Sequence, residues 1–301
     1  MLILFLALLC FAGTILLQKF VLLSGVPIMT FVALRTFVPG AIILLMEATQ
    51  NKLAEIKKIF TPYFFALTFA TTLLPLFLKN FAHRQMPSAK FALLNSLDPF
   101  ITCILVYFLF NETINLLQAA GIFFAVLGVG FLSTCKLEII ASNFFSTISW
   151  PELLAIISVA LGRLGWIAGE KFIKNHNFTE AQINILFMLL PGLPAMFYAA
   201  TSGELSLLIN QTKQLEWLII FASICLNTLG CLLMTKSLKT FNAVTISLAG
   251  TSIVPLTVAV ASCKLYKESI STQFIIASGL IFFGLVIFYS AKNKQENNPK
   301  L

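Results

Sequence analysis

Charged residues are scarce in this sequence, where Asp, Glu, Lys and Arg together make up 11% of 301 residues. A soluble globular domain carries about 25% charged residues, so a water-exposed surface over most of the chain is excluded. The basic residues form no stripe interleaved with aromatic residues, and we therefore expect no nucleic-acid partner.

Recognisable catalytic and metal-binding patterns are also missing. The six cysteines form no Cys-x-x-Cys pair and no spacing with histidine that suits a metal ion. The sequence has no His-Glu-x-x-His, no Gly-x-Ser-x-Gly and no P-loop, which argues against an intramembrane enzyme and against an ATP-driven pump. We predict no enzyme activity, no metal and no cofactor.

Long apolar runs dominate what is present. Hydrophobic residues make up 58% of the chain, and the mean hydropathy is +0.93. A helix needs about 20 apolar residues to cross a bilayer. We predict an all-α integral membrane protein with ten transmembrane helices. The predicted spans are 2–23, 27–48, 60–79, 88–110, 114–134, 151–172, 179–200, 215–236, 242–264 and 270–291.

The two halves of the chain repeat one pattern at a fixed offset. An offset of 156 pairs Ser96 with Ser252, Pro99 with Pro255, Glu112 with Glu268 and Gly128 with Gly284, and an upstream offset of 152 pairs Lys19 with Lys171 and Gly40 with Gly192. A duplicated hydrophobic unit is typical of transporters built from structural repeats, which bind their substrate between the copies. We interpret Glu112 and Glu268 as helix-start caps.

Five helices in each half is an odd number, so the second half enters the membrane from the opposite side. This predicts two inverted five-helix repeats, at 1–134 and 151–291. Residues 135–150 form the linker loop, and 292–301 form a polar C-terminal tail that we expect to lack regular structure.

Basic residues in the loops give a weak orientation signal. With the N-terminus inside, the cytoplasmic side holds ten: Lys52, Lys57, Lys58, Lys171, Lys174, Lys236, Lys239, Lys292, Lys294 and Lys300. The other side then holds eight: Lys19, Lys79, Arg84, Lys90, Lys136, Lys213, Lys264 and Lys267. This bias favours cytoplasmic N- and C-termini.

The segment from Ala89 to Gly130 carries a Ser-x-x-Pro helix, an apolar run ending at Asn111-Glu112, and then a helix rich in glycine. It resembles the fourth and fifth helices of the EamA family in the drug/metabolite transporter (DMT) superfamily, and 244–290 resembles the same unit. Asn-Glu and Lys-Glu stand where the family has Gly-Glu, and Asp98 replaces a small or apolar residue. The resemblance implies ten helices, a central cavity between the halves, and secondary transport of small metabolites.

Asp98 is the first candidate for the site, because an ionisable group inside the membrane needs a partner or a function. Pro99 has no amide hydrogen, so it frees a carbonyl one turn earlier, near Asn95. Asn95 and Asp98 share a helix face. They suit a cationic or amino-bearing solute or a proton; the alternative for Asp98 is a helix cap or an ion pair with an interior arginine.

Arg163 is the second candidate, since it lies mid-span and too deep to reach the interface easily. We expect it to face the cavity or to pair with Asp98, as a gate or as a clamp for a zwitterion. Glu170, seven residues on, is a further candidate for proton coupling, although an interfacial position is the alternative. Trp166 is a weaker candidate for a cavity wall that accepts a cation or a flat ring.

Small polar residues complete the predicted site. The offset of 156 pairs Thr71-Thr72 with Asn227-Thr228, and Thr251-Ser252 precedes the second proline. Their alternative role is hydrogen bonding between helices. We predict that Pro99 and Pro255 allow helix kinks. Arg35, by contrast, is expected to reach a headgroup or a carbonyl.

These features predict a secondary transporter that works by alternating access around a midplane cavity. The substrate is a small polar or amphipathic metabolite: amino acids, nucleotide-like compounds and drug-like compounds all remain open, as does proton coupling. The alternatives are a flippase for a lipid-linked substrate, whose cavity opens laterally to lipid, and an intramembrane enzyme. We expect a monomer or homodimer in the lipid bilayer of a bacterial cytoplasmic (inner) membrane.

Overall fold

A computed structural model describes residues 2–49, 60–110, 114–133, 148–176, 178–238, 243–267 and 271–297. Three features predicted above lie outside the described residues: the caps Glu112 and Glu268, and most of the 135–150 linker. Three predicted site residues have a described backbone but no described side chain: Glu170, Thr251 and Ser252.

The described chain is built from helices. They are α1 (Leu2–Leu23), α2 (Ile28–Thr49), α3 (Pro62–Gln85), α4 (Ser88–Asn95), α5 (Asp98–Phe110), α6 (Leu116–Ser133), α7 (Trp150–His176), α8 (from Glu180 to Thr201), α9 (Glu204–Gln211), α10 (Gln214–Leu238), α11 (Ala243–Leu265) and α12 (Thr272–Asn297).

Seven helical segments among the described residues are long and apolar enough to cross a bilayer. They lie in α1, α2, α3, α4 with α5, α7, α8 and α10, and shorter apolar stretches lie in α6, α11 and α12. Large apolar side chains point outward, as lipid contact requires: Phe108 and Phe197 are each 73% exposed. The chain is therefore an integral membrane protein that crosses the bilayer several times, and the count of ten spans stays a prediction.

The predicted span at 88–110 is two helices rather than one. α4 ends at Asn95 and α5 begins at Asp98. The amide of Phe100 donates to the Leu97 carbonyl at 3.0 Å, and Pro99 has no amide hydrogen to donate. The Asn95 carbonyl thus loses the partner it would have in a continuous helix.

Two π-helical turns interrupt α3 and α8, at Phe69–Leu73 and Ile185–Leu189. The last residue of each π-turn begins a Leu-Leu-Pro sequence. Pro75 and Pro191 therefore lie in the first turn of the α-helical stretch that follows. Proline cannot donate a hydrogen bond to the carbonyl four residues earlier. The backbone hydrogen bonds of the preceding turn therefore change from the α-helical i→i+4 pattern to the π-helical i→i+5 pattern. Both turns lie in the middle of their helices, where a membrane protein has no water to satisfy freed carbonyls.

The repeats interlock across the molecule. α1 packs on α10 and α11, and the equivalent α7 of the second repeat packs on α3, α4 and α5. α2 packs on its counterpart α8, and α6 packs on its counterpart α12. Every one of these pairs joins one repeat to the other, so the interior lies between the repeats rather than within each.

Glycines allow the two counterpart pairs to approach closely. A Cβ added to Gly40 would lie 2.5 Å from the Leu189 backbone, and one added to Gly192 would lie 2.6 Å from the Phe37 backbone. Since 189 − 152 = 37 and 192 − 152 = 40, each contact is the repeat image of the other. Phe37 of α2 lies beside Gly192 of α8, and Gly40 lies beside Leu189. Residue numbers therefore rise along one helix and fall along the other, so the two counterpart helices are antiparallel at their crossing.

α6 and α12 show the same relation. A Cβ added to Gly121 would meet the Gly284 carbonyl at 2.7 Å, and one added to Gly128 would meet the Ala277 carbonyl at 3.0 Å. Because 284 − 156 = 128 and 277 − 156 = 121, this pair is also self-equivalent and antiparallel.

Two cations that were assigned to loops, Lys79 and Lys19, need correction. α3 continues to Gln85, six residues past the predicted end, so Lys79 belongs to a helix and not to a loop. Lys19 is buried within α1, where its ammonium donates to the carbonyls of His83 at 2.8 Å and Met86 at 2.7 Å. These carbonyls lie at the C-terminal end of α3, which attracts a positive charge.

The tail prediction was wrong for part of its length. α12 is helical through Asn297, beyond the last apolar residue. Extending an existing helix costs far less than starting one, and Lys292–Asn297 contains several good helix formers.

Candidate functional site

A central cavity of about 320 Å³ lies between the two repeats. Helices α1, α2, α3, α4 and α5 of the first repeat and helices α7, α8, α10 and α11 of the second contribute side chains to its lining. Its volume falls within the range of small-molecule sites, roughly 300–1,000 Å³.

Asp98 and Arg163 both line this cavity and form an ion pair through Arg163 Nε and Asp98 Oδ1. The break between α4 and α5 places Asp98 in the first turn of α5, where the helix dipole stabilises a carboxylate. Asp98 is buried, whereas the Arg163 side chain keeps 21% of its exposure. The ion pair that the sequence analysis held open is therefore present, and it joins the two repeats.

The other predicted residues near this pair use part of their hydrogen-bonding capacity locally. Asn95 Nδ2 donates to the Phe91 carbonyl at 2.8 Å, and Thr71 Oγ1 donates to the Leu67 carbonyl at 2.8 Å. Both residues line the cavity, together with Thr72 and Trp166. Asn95 retains its amide oxygen, and Thr71 retains its lone pairs, so both can still contact a solute.

Asn227 belongs to a buried network that crosses four helices. Arg35 Nη2 donates to Asn227 Oδ1 at 2.6 Å, and Arg35 Nη1 donates to Gln18 Oε1 at 2.8 Å. Gln18 Nε2 donates in turn to Asn80 Oδ1 at 2.5 Å. Arg35 is 8% exposed and lines the cavity, so of the two expected partners, a headgroup or a carbonyl, it binds carbonyl oxygens, those of the Gln18 and Asn227 side-chain amides.

Lys79 was missed because its predicted span ended there. In the structure it lines the cavity with Thr72, Pro75 and Leu76. The spacing of these residues (0, 3, 4 and 7 along α3) is that of one helix face, and it was readable from the sequence once Thr72 was a candidate. Gln18 on α1 and Asn184 on α8 also line the cavity and were not predicted.

Some predicted residues are not brought to the cavity by the structure. Thr228 is not among its lining residues, and its hydroxyl donates to the Ile224 carbonyl at 2.7 Å. Pro255 lines the cavity, but α11 is a continuous helix on both sides of this proline. Pro99 is buried in the first turn of α5.

The chemistry of this arrangement is that of binding. Its described lining offers guanidinium, ammonium, carboxylate, amide and hydroxyl groups beside the aromatic walls of Phe11, Trp166 and Phe187. Within the described part of the chain, no group of three or more His, Cys, Asp or Glu side chains is arranged to hold a metal ion. Such a cavity can select a solute by charge, hydrogen bonds and shape.

Comparisons with known proteins agree with this fold. A solved structure described as "Crystal structure of protein" matches with a TM-score of 0.63 at 16% identity, over 98% of this chain and 98% of that chain. A search of curated proteins found no match. The model of the EamA-like transporter family matches residues 1–134 and 149–290, once for each repeat. The chain therefore belongs to the EamA-like transporter family, a branch of the drug/metabolite transporter superfamily.

Proposed function

We propose that the protein is a secondary transporter that carries a small polar or amphipathic metabolite through the central cavity by alternating access. The observation that carries this proposal is the position of the cavity, which is lined from both repeats and holds ionisable side chains of helices that are long and apolar enough to cross a bilayer. A solute bound there touches both halves, so a change in how the halves pack changes which side it can reach.

Two inverted five-helix repeats, at 1–134 and 151–291, account for the symmetry of the contacts. The antiparallel crossings of α2 with α8 and of α6 with α12 are what an in-plane two-fold axis requires. With ten spans and the 135–150 linker between the repeats, each pair of counterparts would start from opposite membrane faces.

The termini are then cytoplasmic, in a bacterial inner membrane, with the chain acting as a monomer or homodimer. Lys19 is buried and Lys79 lines the cavity, and leaving these two cations out lowers the count on the opposite side from eight to six, against ten. The orientation rule concerns loop residues near span ends, so this change strengthens the bias.

The Asp98–Arg163 ion pair is the contact that changes during the cycle. It links α5 of the first repeat to α7 of the second, and separation of the repeats on one side must stretch it. Protonation of Asp98 removes one charge and releases Arg163, so a proton at Asp98 can couple to this motion. Glu170 is the second site proposed for such coupling.

The test is flux into liposomes that contain the purified protein, with and without a pH gradient. Mixtures of amino acids, nucleosides and drug-like amines are offered, and the internal contents are identified by mass spectrometry. We expect saturable uptake that Arg163→Ala weakens through a raised apparent Kd. Full gradient-driven uptake by Asp98→Asn would rule out coupling at this carboxylate, and transfer of labelled lipid without solute flux would favour the flippase instead.

A further inference from the structure

The charges that line the cavity do not balance. Among the described lining residues, three side chains are cationic and one is anionic: Arg35, Lys79, Arg163 and Asp98. Asp98 pairs with Arg163. No described carboxylate forms an ion pair with Arg35 or Lys79, so an excess of two positive charges faces the space in which a solute would sit.

Arg35 is held firmly but is not neutralised. Its two hydrogen bonds go to the side-chain oxygens of Gln18 and Asn227, which are uncharged amides. These bonds fix the guanidinium in orientation and satisfy two of its five donors. The network therefore presents a rigid positive charge at the cavity wall and leaves donors for a further acceptor.

Lys79 lines the same cavity as Arg35 and Arg163. Like charges that share one small cavity repel each other. The described partner of Lys79 is the ring of Phe91, with Nζ 5.6 Å from the centroid. A cation–π contact is worth roughly 0.5–2 kcal/mol, and it does not neutralise the charge of the ammonium.

A bound anion would reduce this repulsion, because it would add a negative charge to the cavity that the cations line. Trp166 of α7 and Phe11 of α1 supply apolar surface in the same cavity. We propose that the transported solute is a small organic anion, whose carboxylate or phosphoryl oxygens are bound by Lys79 and Arg35 while its apolar part lies against Trp166. This inference rests on the proposed transport function and names its substrate class.

A cavity of about 320 Å³ is too small for a whole lipid but not for a lipid headgroup, and a headgroup, like a free organic anion, can carry anionic oxygens. A free solute must fit within about 320 Å³, which admits a molecule the size of an aromatic or short-chain acid. The experiment must therefore separate a soluble anion from an anionic headgroup.

The test measures thermal unfolding of the purified full chain in an uncharged detergent, since a ligand that binds the folded state raises the unfolding temperature. The probes are matched by shape: benzoate, benzamide, benzylammonium and phenyl phosphate, with further acid and amide pairs of increasing length. Phosphatidylglycerol is added in a separate arm. We expect stabilisation by acids, and none by their amides or by benzylammonium.

Lys79→Gln should weaken acid binding by about tenfold or more, because a charge-assisted hydrogen bond is lost. Lys79→Arg should keep most of it. Lys236→Gln is the control, because it makes the same change at an exposed lysine of α10 that does not line the cavity.

Equal stabilisation by acids and amides, preference for benzylammonium, no stabilisation by any acid, or stabilisation by phosphatidylglycerol alone would overturn the inference. Acid binding that Lys79→Gln leaves unchanged would also overturn it. Flux of neutral or cationic solutes without acid binding would leave the transporter proposal standing and remove the anion. Lys79-dependent acid binding without flux would support the anion site and contradict the transporter proposal.

Discussion

The span at 88–110 and its repeat counterpart α11 share Ser-x-x-Pro, yet their backbones differ. The first is broken before Pro99, whereas α11 runs through Pro255. Asp98 precedes the first proline, and Val254 precedes the second. A carboxylate stabilises the exposed amides of a new helix start, and valine cannot. A shared motif thus builds the scaffold, and a single unshared residue converts one copy into a charged site.

The largest expected effect concerns the unshared charges. Arg163→Ala removes the counter-charge of buried Asp98, and we expect the free energy of unfolding to fall by about 3 kcal/mol. Chemical unfolding in detergent micelles measures it. The double variant Asp98→Asn/Arg163→Gln should recover most of the lost free energy of unfolding. An unchanged unfolding midpoint for Arg163→Ala would mean that the ion pair does not stabilise the fold.

The next prediction concerns residues that the copies share. Gly40→Ala and Gly192→Ala should destabilise the protein by similar amounts, about 2 kcal/mol each, because each Cβ meets the backbone of the counterpart helix. Gly279→Ala is the matched control, since a Cβ there has nothing within 4 Å. Unfolding of the three variants under one set of conditions gives the comparison, and strongly unequal losses at Gly40 and Gly192 would contradict the symmetric crossing.

The two prolines should respond differently to the same change. Pro255→Ala restores an amide within a continuous helix, and we expect a stabilisation of about 1–2 kcal/mol. Pro99→Ala should have little effect on stability, because a proline in the first turn of a helix costs almost nothing. Thermal unfolding decides, and a larger gain at Pro99 would argue that the break is strained.

The smallest expected effect separates two threonines that the repeat makes equivalent. Thr72 lines the cavity and Thr228 does not. Thr72→Val should lower solute affinity by a few-fold, whereas Thr228→Val should leave affinity unchanged, and both should shift stability by about 0.5 kcal/mol or less. Uptake at varied solute concentrations tests this prediction. Equal effects of the two substitutions on affinity would mean that Thr228 also lines the solute site.

Much of this architecture could be read from the sequence, because a membrane leaves few places for charge and a repeat offset is simple arithmetic. Asp98 and Arg163 were identifiable since each lies deep inside an apolar run. Gly40 and Gly192 were recognisable as equivalent, although the close approach of their helices was not.

The remaining features depend on tertiary packing. Lys79 and Arg35 lie near predicted span ends, where an uncertainty of a few residues decides between a loop cation and a buried one. Their partners, Phe91 and Gln18, come from other helices, so neither contact leaves a local signal. The π-turns in α3 and α8 are likewise a consequence of proline within a packed helix and are not visible as a period.

In the proposed transport cycle, one cavity between the repeats opens alternately to the two sides of the membrane. Cys231 lines that cavity, and it can be kept as the sole cysteine by replacing the other five with alanine. A charged, membrane-impermeant thiol reagent is then added to right-side-out spheroplasts and to inside-out vesicles. We expect Cys231 to react with the reagent from both sides of the membrane, and we expect a transported solute to slow both reactions. Reaction from one side alone, with or without solute and a pH gradient, would contradict it.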